Sequence, residues 1–256
     1  MTISMELSVL APALAAGLLV LATHVPLGQE VLKRGIVFID LALAQVAVLG
    51  VIVAEVLGFE AQGLAVQGIA LAAALGGAAL LATTERRLRA QQEALIGALF
   101  VLAASLSLLL LHNHPHGAEH LKNVLEGQIL WVSPTALLPV AFVYTLVLAL
   151  WFGKRTPFGR GGFYFLFALV VTASVQLVGV YLVFASLILP ALAVSHLPER
   201  RRLPWAWAMG AVAYGAGLLL SLVTDWPATP VIVCLLALIG VAVRALSHRV
   251  RRGATL

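Results

Sequence analysis

Nine residues, His112-Asn113-His114-Pro115-His116-Gly117-Ala118-Glu119-His120, hold four of the chain's seven histidines. Neutral imidazole is a common ligand of transition metals, and carboxylates complete nitrogen and oxygen sets that zinc accepts in tetrahedral geometry. His112, His114, His116, His120 and Glu119 are therefore candidate metal donors, with Glu126 close behind. The competing reading is a polar loop whose histidines only solvate a turn. His116, Glu119 and His120 also match His-x-x-Glu-His, the inverted zinc-peptidase pattern, which works only on a helix. Pro115 and Gly117 break such a helix locally. The cluster thus reads as metal capture rather than catalysis, and the chain as no enzyme.

A second polar set lies inside apolar sequence. Asp40 and Gln45 fall in Phe38-Ile39-Asp40-Leu41-Ala42-Leu43-Ala44-Gln45. A carboxylate within a membrane span is costly and is a functional candidate by default. Against this stands an Asp at a helix start near the membrane surface, where the helix N-terminus tolerates it. Gln67, Thr172 and Gln176 suit hydrogen bonds between helices. His24, just before Pro26, is expected at an interfacial break. The aromatic run Phe163, Tyr164, Phe165 and Phe167 reads as an interfacial belt, as do Trp205 and Trp207.

The elements that must position these residues are set by composition. Of 256 residues, 62% are hydrophobic and 11% charged, against about 25% charged in a soluble domain. Lipid is the solvent such a chain requires. Cys234 is the single cysteine, which excludes an internal disulfide and a cysteine-rich metal site. Gly153-Lys154 is no phosphate loop, since position 148 is Leu, and the pattern needs Gly there. The short basic clusters have no base-reading elements around them, so nucleic acid is not a partner.

Spans are expected at about Leu7–Thr23, Ile36–Leu57, Leu64–Thr84, Ala94–Leu111, Pro134–Phe152, Trp205–Val223 and Val231–Leu246. Residues 162–197 are apolar almost throughout. As one helix they would rise ~54 Å against a hydrocarbon core of ~30 Å. Gln176, Gly179 and Pro190 point instead to two short or broken helices enclosed by protein. The fold expected is all-α: one polytopic transmembrane domain over 1–256, with about eight spans. Lys33-Arg34, Arg86-Arg87-Arg89, Lys154-Arg155-Arg160, Arg200-Arg201-Arg202 and the basic tail should all be cytoplasmic, which leaves the N-terminus and the histidine loop outside.

Five segments, in order along the chain, resemble the membrane permease of bacterial zinc/manganese ABC importers. They are Val31-Leu32-Lys33-Arg34-Gly35-Ile36, Glu93-Ala94-Leu95-Ile96-Gly97, Leu125-Glu126-Gly127-Gln128-Ile129-Leu130-Trp131-Val132, Val178-Gly179-Val180-Tyr181 through Pro190-Ala191, and Asp225-Trp226-Pro227-Ala228-Thr229-Pro230. The resemblance implies a bacterial inner-membrane homodimer, a separate cytoplasmic ATPase and an external metal-binding protein. It implies no permanently bound cofactor, with zinc, or else manganese, as the ion carried. Asp40 and Gln45 become path residues, and the histidine loop an outer capture or gating site.

The chain departs from the family in two places. That family carries Gly-Asp-x-x-x-His where this chain has Asp40, Leu41 and Gln45. The carboxylate is moved about 100° around the helix, and the imidazole is an amide. The cytoplasmic insert after the fifth helix shrinks to Gly153–Arg160. That shortening motivates an alternative: an orphan permease, or a metal-responsive membrane partner, uncoupled from an ATPase.

Overall fold

A computed structural model describes residues 3–59, 63–111, 122, 123, 125–153 and 160–253. Its helices are α1 (Ile3–Arg34), α2 (Ile39–Val56), α3 (Leu64–Arg87), α4 (Gln92–Leu111), α5 (Pro134–Phe152), α6 (Arg160–Val178), α7 (Val180–Val194), α8 (Glu199–Thr224) and α9 (Ala228–Gly253). Eight of these are long and apolar enough to cross a membrane, and α7 is shorter. No strand occurs among the described residues. The all-α polytopic bundle is the architecture the composition requires.

The helix starts follow local chemistry. Ser133 caps α5, its hydroxyl accepting from the Ala136 N–H at 3.3 Å, and Pro134 opens the helix. Proline is tolerated there because its missing N–H has no partner in the first turn anyway. Other ends are held by distant side chains. Glu93 of α4 accepts the Phe38 N–H at 3.3 Å, just ahead of α2.

The first helix corrects the sequence reading. His24 to Arg34 was expected to interrupt it, yet α1 runs through Pro12 and Pro26 without ending. Proline removes one intrahelical hydrogen bond. A full break inside a dry bundle would orphan many more backbone groups. Packing also holds the segment in place. Gly28 lies so close to α7 that a Cβ there would come 2.0 Å from the Leu187 carbonyl oxygen. Val25, Leu27 and Val31 are buried around it.

The expected break in 162–197 falls at Gly179, whose φ of 82° is the left-handed value that favours glycine. It is braced by Gly127, also at positive φ (69°). The two backbones touch. A Cβ on Gly179 would lie 2.4 Å from the Gly127 nitrogen, and one on Gly127 would lie 2.2 Å from the Val178 carbonyl oxygen. The fifteen residues of α7 rise only ~22 Å. So short a helix is acceptable because protein surrounds most of it: eleven of its residues are buried.

Charged contacts fix which helix ends share a level. Lys33 Nζ lies 3.2 Å from Glu199 Oε1. Arg34 pairs with Glu30 at 2.8 Å and places its guanidinium 4.1 Å from the centre of the Phe163 ring. The end of α1 therefore meets the starts of α6 and α8. α6 leaves this level and α7 returns to it. Lys33, Arg34 and the basic start of α8 share one side, as charge asymmetry across a membrane requires. The aromatic run is corrected at the same place. Phe163, Tyr164 and Phe167 are buried, and only Phe165 faces outward. Phe163 packs among Trp151, Tyr164 and Phe167, edge-on to Tyr164 and tilted against the other two.

The Gly127–Gly179 contact generates a prediction. Gly179→Ala adds a left-handed penalty of roughly 1–2 kcal/mol to a backbone clash. It is expected to lower the thermal midpoint of the detergent-purified protein by several degrees or abolish its monodisperse peak. Gly215→Ala, where nothing lies within 4 Å of the added carbon, is expected to change neither. Equal behaviour of the two variants would refute the brace.

Candidate metal path

Asp40 occupies the first turn of α2. Its neighbours Ile39, Ala42 and Leu43 are wholly buried, and so is Asp40 itself. Neither carboxylate oxygen has a hydrogen-bond partner. Phe38, just before it, stacks on Phe184 of α7 at 6.5 Å between ring centres. Glu93 of α4 and Phe184 of α7 thus lie against the α2 start, and Asp40 is enclosed within the bundle. An unpaired buried carboxylate is costly in a packed interior and is the kind of group retained for work rather than for stability.

Gln45 is buried on the same helix. Five residues on, it lies about 140° around the axis from Asp40, so the two side chains leave α2 in different directions. Among the described residues, no three His, Cys, Asp or Glu side chains are grouped to hold a metal ion. His112, His114, His116, His120 and Glu119 lie outside the described residues.

The sequence reading missed a second polar group. His24, expected at an interfacial break, is completely buried within α1. Its Nδ1 lies 2.9 Å from the Val20 carbonyl oxygen and 3.2 Å from the Thr23 hydroxyl. Tyr144 of α5 is hydrogen-bonded to Ser174 of α6 and reaches the Thr23 hydroxyl. Tyr214 of α8 bonds Ser186 of α7 at 2.7 Å, with its ring against Gly17 of α1. Five helices thus contribute one imidazole and five hydroxyls to a buried polar belt. A signal for it exists in the sequence. Gly17, Leu21, His24 and Gly28 recur at i, i+4, i+7 and i+11, which places His24 on a packed stripe. Gly17, Leu21 and Gly28 meet Tyr214, Gly210 and Leu187 respectively.

Comparison with known proteins follows the same outline. The ABC 3 transport family model matches residues 6–160 and 157–247. PsaBC from Streptococcus pneumoniae, solved in complex with a Fab, superposes with a TM-score of 0.73 at 20% identity, covering 94% of this chain and 95% of that one. A metal-chelate type ABC transporter in an inward-facing conformation superposes at 0.67 with 19% identity, covering 92% and 84%. At such identities the likeness shows the fold. No curated protein matches the chain.

Removing the orphaned carboxylate separates stability from function. Asp40→Leu is expected to raise unfolding free energy by about 1–3 kcal/mol, the cost of an unsatisfied buried polar group. The readout is a higher thermal midpoint in detergent. A lower midpoint would mean that Asp40 holds the α2 start together.

Proposed function

The chain belongs to the ABC 3 transport family, and from that premise we propose that it is the inner-membrane permease through which an ABC importer moves a divalent transition metal, zinc first and manganese second. The observation that carries the reading is the family match, which runs from residue 6 to residue 247. The enclosed, unpaired Asp40 supports it, because a carboxylate is a ligand for either ion. The metal-chelate chemistry named for one structural neighbour points the same way.

In this reading two copies of the chain and a cytoplasmic ATPase form the transporter. An external binding protein delivers metal near the loop that holds His112, His114, His116, His120 and Glu119. Asp40 and Gln45 line the path inside. Imidazole donors at the mouth release metal when protonated, since only the neutral ring is a ligand. The chain supplies the path, and nucleotide hydrolysis belongs to the partner subunit.

The uncoupled permease is the second reading, because only residues 153–159 separate α5 from α6. An ATPase subunit arriving with the purified chain would exclude it.

The deciding experiment is radiotracer uptake in cells stripped of their own zinc and manganese importers. Expression of the chain with its ATPase and binding protein is expected to raise zinc uptake several-fold. Asp40→Ala should remove about nine-tenths of that gain, as loss of a metal-handling group does. Uptake that stays at the background of the stripped cells, with all three partners present, sinks the proposal.

A further inference from the structure

Arginines from two helices meet at the turn between α7 and α8. Arg244 of α9 donates from Nη1 to the Leu192 carbonyl and to the Ser195 hydroxyl, at 3.1 Å each. Arg202 of α8 donates from Nε to the Leu197 carbonyl at 2.8 Å. Cationic side chains near a helix C-terminus satisfy carbonyls that have no partner within the helix. Both guanidinium groups are thereby held at fixed positions on the turn. Arg200 and Arg201, next to Arg202, are exposed. Glu199 is the only acidic residue in 195–202, and it lies 3.2 Å from Lys33 Nζ. The turn therefore carries a positive excess.

What lies beside this charge separates it from an ordinary basic helix end. Arg201, Trp205, Ala208, Val212, Leu219 and Val223 are all exposed. They recur at i, i+4, i+7, i+11, i+18 and i+22, which keeps them within an arc of about 60° around α8. α8 is long and apolar enough to cross the membrane, so this stripe runs outward-facing through the hydrocarbon layer. Arg201 stands at its end, on the side where Lys33 and Arg34 lie. Trp favours the headgroup level, and an arginine beside it lays its stem on apolar surface while its charge reaches the headgroups. A cation, then an indole, then aliphatic side chains is the complement of an anionic head with a hydrocarbon tail. A soluble protein partner would meet the arginines and leave the stripe unused.

We propose that the α7–α8 turn is a binding site for an anionic phospholipid: Arg200, Arg201, Arg202 and Arg244 receive its phosphate head, and its chains lie along Trp205 and Val212. Guanidinium is planar, always charged and matched to phosphate oxygens in paired hydrogen bonds. A zwitterionic lipid offers the same phosphate but cancels its charge with an amine, so the site selects the anionic class. The head bridges α8 and α9 at the end of the short helix α7. Topology alone accounts for basic residues on this side of the membrane, and it makes no demand that particular arginines hold a particular lipid. The proposal goes beyond the transport reading, since it needs neither metal nor nucleotide.

The test titrates the full chain in detergent with phosphatidylglycerol or with phosphatidylcholine. Bound lipid is read by native mass spectrometry, and stability by the thermal midpoint. Wild type is expected to retain phosphatidylglycerol in preference and to gain several degrees from it. Arg201→Gln should weaken that retention about fivefold, as loss of one arginine at an anionic surface does. Adding Arg200→Gln should take the loss to about twentyfold. Arg87→Gln removes one exposed charge from the end of α3 and should retain lipid as wild type does.

Equal retention of the two lipids by wild type would overturn the inference. Equal losses in Arg201→Gln and Arg87→Gln would also overturn it, since they would mean diffuse charge in place of a site. Unchanged lipid retention in Arg201→Gln, together with loss of a co-purifying ATPase subunit, would assign the arginines to that partner and overturn it as well. If the variants do not fold, wild type is photolabelled with phosphatidylglycerol carrying a diazirine close to its headgroup. Label on the peptide that contains Trp205 then supports the site, and label confined to other helices sinks it. None of these readouts depends on metal uptake, so a failure of the transport reading leaves the test standing.

Discussion

In an interior without water, each polar atom must find its partner within the chain, and each hydroxyl proton can be given away once. That constraint shapes this molecule more than any single contact. It keeps α1 helical through Pro26, because an interrupted helix would leave more backbone groups unpaired than the proline does. It puts the sharp break between α6 and α7 where the backbone of Gly127 lies against it. It also explains why buried Ser174 and Ser186 return their protons to carbonyls one turn back, at 2.6 Å each. Against such pairing, the buried atoms left without partners stand out. Asp40 and His24 Nε2 are among them.

The break at Gly179 also orders the topology. Ion pairs and the Arg34–Phe163 stack bring the end of α1 level with the starts of α6 and α8. The segment between must therefore cross and come back. α6 is long enough to span and α7 is not. A short helix facing lipid would strand its ends in hydrocarbon, but α7 packs against α1, α8 and α9 and is enclosed for most of its length. The outer helices do the opposite work. α4 and α5 turn Leu102, Leu109, Leu138 and Phe142 outward, where lipid is the natural neighbour.

Much of this was legible in the amino-acid order. The apolar runs and their basic punctuation marked most of the spans, because lipid allows few alternatives. The 162–197 region was readable as broken, since it is too long for one helix and too short for two full ones. What misled was local chemistry overridden by packing. Pro26 signals a helix end in most contexts, and only the approach of Gly28 to Leu187 shows why it is not one here. His24 was hidden by the same inference, since a residue placed at a break is not sought in a core. The aromatics from Phe163 to Phe167 look like a surface belt until Arg34 is seen lying over the first of them. Asp40 was identified as a residue, but its enclosure depends on α4 and α7, which approach from far along the chain. The histidine loop drew attention first and lies outside the described residues.

α6 joins the two polar groups. It packs against α1, α2, α3, α5 and α7. Asp40 lies on its neighbour α2, and α6 itself supplies Ser174 to the belt. No ion pair or hydrogen bond runs between Asp40 and the belt among the described residues, so neither group neutralises the other.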